Sequence, residues 1–225
     1  MRCLTDRWQG AGRADTLLVL LPPAKASLED LLAQGMVAAV REHALAVDIV
    51  LADVGYQQVM AGTVAASLQQ AVIAPARQQG YAHIWLAGIS LGAFNALHHA
   101  AHYGEHLAGI KLLAPYPGTA DILQDIRQAG GAQAWAGQPD CPLEDERCWW
   151  HWLATQPDCP VWLSLAEQDR FLDGQDMLAS LLPPERVRRV VGDHSWPVWL
   201  AMWQHWLAHG PLAALRPPIK EDGDR

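Results

Sequence analysis

Ser90 stands between two glycines in Gly88-Ile89-Ser90-Leu91-Gly92, and this spacing is the first place in the chain where chemistry is written. A serine hydroxyl is a poor nucleophile until a base removes its proton, and that base needs a third group to hold its orientation. Candidates for both lie downstream. Asp169 follows the apolar run Val161-Trp162-Leu163-Ser164-Leu165, and His194 sits in Gly192-Asp193-His194-Ser195-Trp196, just past Val187-Arg188-Arg189-Val190-Val191. Glu167 and Asp173 are the competing carboxylates, and Asp169 is favoured by its position on the loop leaving the run. Serine, then acid, then histidine, each just past a segment that reads as a strand, is an arrangement suited to acyl transfer through a covalent serine intermediate.

Such residues must be positioned by rigid elements. His83-Ile84-Trp85-Leu86-Ala87 reads as a strand and Leu91 to Tyr103 as a helix, so Ser90 falls on a sharp strand-to-helix turn where side chains at 88 and 92 would crowd their neighbours. Further strands are expected at Thr16–Leu21, Val47–Ala52 and Ile110–Ala114. Helices are expected from Ser27 through Arg41, with Ser27 as N-cap and Asp30 three positions on as a near capping box, from Thr63 to Gln79, and from Pro197 to His209. Strands alternating with helices, several of them apolar on both faces, imply a mostly parallel sheet covered on both sides. One interval breaks the rhythm. More than forty residues separate Ala114 from Val161, with Gly130-Gly131 and Gly137-Gln138-Pro139 inside, which predicts a small helical cap over about 116–158.

The chain has 225 residues, enough for one domain with a sizeable core, and half of them are hydrophobic. A net charge of −8 with no Lys/Arg block argues against nucleic-acid or anionic-membrane partners. No apolar run approaches the length of a membrane span, and Met1 to Arg7 lacks a signal-type apolar region, so a cytoplasmic chain is expected. Free thiols are expected at Cys3, Cys141, Cys148 and Cys159, which lack metal-type spacing. The domain is expected to span 1–210, with a polar, disordered tail over 211–225.

From Leu17 to about Leu207 the chain resembles the α/β-hydrolases, with a trimmed set of N-terminal strands. Gly192-Asp193-His194-Ser195-Trp196-Pro197-Val198-Trp199 is similar to the G-x-H-x-W-x-x-W ending of bacterial carboxylesterases of the putative-esterase type, in which the histidine is the base. Leu20 to Leu32, with Ala52-Asp53-Val54-Gly55-Tyr56, resembles small bacterial hydrolases of unassigned substrate. The resemblance implies a serine hydrolase acting on a small-molecule carboxylic ester or thioester, with Ser90, Asp169 and His194 as triad and no cofactor or metal. It also implies an oxyanion hole made by the Leu91 N–H and a donor from the loop after the first core strand. Pro22 and Pro23 occupy that loop and have no N–H to give, so the second donor falls to Ala24, or to Lys25 if the loop is shifted.

Other residues invite two readings. His98 and His102 share a helix face at metal-ligand spacing but lack a third ligand nearby, and read as ordinary helix residues. Asp53 reads as a turn or capping residue and Lys25 as a solvated loop lysine. Trp196, Trp199, Trp203 and Trp206 form a core stripe, with Trp196 alone near the site. Trp149 and Trp150 in the cap, together with Trp196, are candidate pocket walls. The alternative to an enzyme is a binding protein that keeps the fold and uses the pocket as a receptor; the oligomeric state is left open.

Overall fold

Six-residue runs such as Thr16-Leu17-Leu18-Val19-Leu20-Leu21 carry no polar face to leave in water, and the chain buries such runs in the middle of a sheet. The computed structural model describes residues 1–136, 145–155 and 157–217. Its sheet has seven strands: β1 (Cys3–Asp6), β2 (Thr16–Leu21), β3 (Val47–Ala52), β4 (His83–Ile89), β5 (Gly109–Leu113), β6 (Val161–Ala166) and β7 (Val187–Val190). They lie in the order β1-β3-β2-β4-β5-β6-β7. All neighbouring pairs are parallel except β1 with β3. The edge strand β1 was not expected from the sequence, because four residues of alternating exposure carry little apolar signal.

The helices are α1 (Leu28–Ala33), α2 (Met36–Glu42), α3 (Tyr56–Met60), α4 (Val64–Leu68), α5 (Ala74–Gln78), α6 (Leu91–Tyr103), α7 (Ala120–Gln128), α8 (Ala132–Trp135), α9 (Glu146–Ala154), α10 (Leu172–Ala179) and α11 (Trp196–His209). Ser27 and Asp30 close the expected capping box. The single helix expected through Arg41 is instead two. Gly35 adopts φ 80°, a left-handed conformation that a glycine accepts without strain, and the chain turns there between α1 and α2. The helix expected over 63–79 is one rod with a π turn at Gln69–Ile73, next to Pro75, which has no N–H for the ordinary ladder.

Alternate residues of the strands feed two cores. Leu17, Val19, Leu21, Ile84, Leu86, Ile110, Leu112, Leu163 and Leu165 pack with residues of α4–α7 and α9. Leu18, Leu20, Ile49, Leu51, Trp85, Ala87 and Ile89 pack with α1, α2 and α11. Trp149 and Trp150 are fully buried in the first core, and Trp203 in the second. The expectation of a disordered tail fails at its start. Pro211–Leu215 forms a 3-10 turn, Leu212 is buried, and the Leu215 carbonyl accepts the Ala46 N–H; residues 218–225 lie outside the described residues. Free thiols are present at Cys3 and Cys159, but Cys148 is disulfide-bonded and Cys141 lies outside the described residues. That expectation rested on compartment, which says nothing of local geometry. Among the described residues no helix is long and apolar enough to cross a membrane.

Candidate active site

The sheet order places a crevice at the carboxyl ends of β2 and β4. β2 leads outward to β3, and the chain then returns to the other side of β2 to form β4, so the two connections diverge there. Ser90 follows β4 and opens α6 at φ 51° and ψ −112°, a strained conformation for a non-glycine residue. The flanking glycines have specific reasons. A Cβ at Gly88 would lie 2.3 Å from the Gly92 carbonyl carbon, and a Cβ at Gly92 would lie 2.4 Å from the Leu21 carbonyl oxygen. Gly92 thereby lets the backbone leaving β2 run against the first turn of α6. The Ser90 N–H is held by the Leu113 carbonyl at 2.9 Å, which ties the turn to the end of β5.

Asp169 and His194 arrive from the loops after β6 and β7. The structure brings all three side chains together: His194 Nδ1 lies 2.7 Å from Asp169 Oδ2, and His194 Nε2 lies 2.9 Å from Ser90 Oγ. A carboxylate can only accept, so Nδ1 donates to it, which leaves Nε2 to accept the serine proton. Of the competing carboxylates, Glu167 and Asp173 are both exposed, and Asp173 faces Arg127.

The Asp169 carboxylate is satisfied on both oxygens. Oδ1 accepts the Phe171 N–H at 2.9 Å, and Oδ2 accepts Gln175 Nε2 at 3.0 Å besides the histidine. Burial pushes this carboxyl up, but the hydrogen bonds from His194, Phe171 and Gln175 outweigh it and hold the group below its ordinary value. The ion is therefore kept charged beside the imidazole.

Aromatic rings surround the histidine. Phe171 and Trp199 meet the imidazole edge to face at 5.2 and 4.9 Å, and Trp196 packs on Trp199 at 5.1 Å. On the other side Tyr116 joins Phe171 at 5.3 Å and Phe94 at 5.5 Å. Phe171, Tyr116, Phe94 and Gln175 were missed in the sequence. Gln175 gave no signal, since a glutamine in a helix reads as solvated. Trp199 did give one, as the last member of the histidine motif, yet it was assigned only to the core stripe.

The expected pocket walls need correction. Trp149 and Trp150 stack on each other at 4.8 Å, are fully buried, and meet Phe94 and Pro117 from beneath; neither presents surface to a cavity. An indole pair adjacent on a helix that crosses α6 buries more apolar area inward than a cavity wall would allow. Trp196 is half-buried beside the site. Of the expected oxyanion donors, Leu91 is the first residue of α6, where backbone N–H groups have no intrahelical acceptor. Ala24 lies in the turn closed by the Ala26 N–H on the Pro23 carbonyl, with Lys25 in that turn at φ 65°.

No family model matches the sequence, and no curated protein matches it. Solved structures do. A monoacylglycerol lipase from Paleococcus ferrophilus superposes with a TM-score of 0.63 at 12% identity, over 95% of this chain and 99% of that one. A ferulic acid esterase gives 0.61 at 12% identity, over 96% and 98%. FphF, a fluorophosphonate-binding serine hydrolase of Staphylococcus aureus, gives 0.59 at 13% identity, over 89% and 84%. With a parallel sheet in this order, a glycine-flanked serine after β4 and near-complete coverage of such neighbours, the chain has the α/β-hydrolase fold.

Proposed function

We propose that the protein is a serine hydrolase that cleaves small-molecule carboxylic esters through an acyl-enzyme on Ser90. The observation that carries this reading is the hydrogen-bonded line from Ser90 Oγ through His194 to Asp169, at 2.9 and 2.7 Å. The esterase and lipase names of proteins sharing the fold support it.

In this reading Ser90 Oγ attacks the ester carbonyl carbon while its proton passes to His194 Nε2. Asp169 stabilises the imidazolium and keeps the Nδ1 proton in place. The negative charge that develops on the carbonyl oxygen is met by the Leu91 N–H and by a donor from the loop after β2, Ala24. The intermediate collapses, His194 returns the proton to the departing alkoxide, and the alcohol leaves. Water then gives its proton to His194 and attacks the acyl carbon. Ser90 recovers its proton as the acid departs. The half-buried rings of Phe94, Tyr116, Phe171 and Trp196 give the surroundings an aromatic surface suited to an apolar acyl group.

Labelling with a fluorophosphonate probe, followed by a p-nitrophenyl ester series of increasing acyl length, tests the proposal. Ser90→Ala should lose labelling and lower turnover by about three to six orders of magnitude, with little change in Tm. Turnover by the purified variant at the wild-type level would overturn it.

A further inference from the structure

Lys111 is a fully buried lysine that the proposed reaction does not use. It lies on β5 among apolar neighbours, 2% exposed, on the face covered by α11. Its Nζ donates to Ser164 Oγ at 2.6 Å, and among the described residues no carboxylate pairs with it. Burying an ammonium with one partner and two idle N–H groups is costly, and a methionine would fill the same space without that cost.

The lysine borders a cavity of about 280 Å³. Strand register builds one wall. Lys111 pairs with Trp162, and Ser164 pairs with Arg188, so these four side chains line the same place on the sheet. Arg186 and Glu185 contribute from the turn before β7, and His205 and His209 from α11. Neither Arg186 nor Arg188 has an ion-pair partner among the described residues, and Glu185 is the one acidic side chain lining the cavity among them. The indoles of Trp162 and Trp206 also line this cavity, and their buried N–H groups have no acceptor. Donors and cations thus outnumber acceptors here, in a chain whose net charge is −8.

We propose that this cavity is a binding site for a small oxyanion, a carboxylate or a phosphate, held by Lys111, Ser164 and Arg188. An oxyanion supplies several acceptor lone pairs to the idle donors and neutralises the buried ammonium. The site is separate from the triad. Pro184 to Arg188 and His205 to Gly210 lie at the start of β7 and the end of α11, whereas Asp169 and His194 follow the carboxyl ends of β6 and β7.

Burial lowers the Lys111 ammonium to about 7, and a bound anion, which favours the charged form, opposes that shift. Burial first, then Arg188, His209 and Lys111, lower His205 as well. Loss of the Lys111 proton makes binding weaken as pH rises from about 6 to about 8.5.

The test is calorimetric titration of the full chain with inorganic phosphate and, separately, with succinate, at about pH 6 and about pH 8.5, with chloride matching the ionic strength. Saturable binding of either anion, tighter at the lower pH and weakened about tenfold or more in both Lys111→Met and Arg188→Gln, is the expected result. Which anion binds distinguishes the phosphate from the carboxylate source. Arg188 is exposed, so its variant keeps the test valid if Lys111→Met does not fold. No saturable binding of either anion beyond the chloride control, or equal binding by wild type and Arg188→Gln, overturns the proposal.

Discussion

The Gln168 N–H donates to the Gly192 carbonyl at 2.9 Å, joining the loop that carries Asp169 to the loop that carries His194. Two loops leaving adjacent strands are thereby fixed as one unit, and Asp169 and His194 inherit their separation from a backbone bond. Gly192 makes this geometry with φ 137°, and a Cβ there would lie 2.5 Å from Val198 Cγ2 in the first turn of α11.

Gly192→Ala should therefore both strain the loop and push α11. A cost of about 1–3 kcal/mol is expected for the backbone alone. Thermal unfolding should show a lower Tm, and ester kinetics a lower kcat. Adding Val198→Ala should recover the steric part and leave the backbone part.

Asp169→Asn should lower kcat by about 10⁴, because an amide offers its N–H where the imidazole needs an acceptor and so favours the wrong tautomer. Asp173→Asn, at an exposed position, should leave turnover unchanged. Steady-state kinetics on one short ester measures both. A large loss in the Asp173 variant with none in the Asp169 variant would reassign the acid.

Trp149→Ala should destabilise the protein by about 3–5 kcal/mol, the range for removing a large aromatic from a core, since this ring is fully buried against Trp150 and Phe94. Phe171→Ala, half-buried beside His194, should instead change the preferred acyl length with a smaller loss of stability. Denaturant melts and a chain-length series separate the two. A changed length profile in a fully stable Trp149 variant would return that residue to the substrate site.

The Lys111→Met/Ser164→Ala pair should stabilise the protein at neutral pH, because it removes a buried charge and its partner together. The sign with pH follows from the lowered value of about 7 in the folded chain. Between there and the ordinary lysine value of about 10.4 the unfolded chain holds a proton that the folded chain has lost, so wild-type stability rises with pH across that window. The advantage of the double variant should be largest below pH ~7 and shrink toward pH ~10. Tm measured across this range checks it, and an advantage that grows with pH would contradict the burial of the ammonium.

The local chain determined much of this protein by itself. Gly88 and Gly92 around Ser90, between an apolar run and a helix-forming run, specify a turn that the structure reproduces, because the constraint is a steric one among residues close in sequence. The positions of β2 to β7 along the chain and the capping box at Ser27 are local in the same sense. What needed the tertiary structure is every contact made between distant segments. Gln175 reaches Asp169 and the Pro115 carbonyl only because α10 folds back against β6, next to the loop that leaves β5, and no property of a glutamine in a helix announces that. Trp149 and Trp150 read as exposed to a cavity or buried with equal ease, since hydrophobicity reports a preference for leaving water and not which neighbour will cover the ring. The packing of α9 against α6 decided it, and the register of β5, β6 and β7 decided that Lys111, Ser164 and Arg188 share one wall. Side-chain type is a property of a residue, whereas proximity is a property of the whole fold.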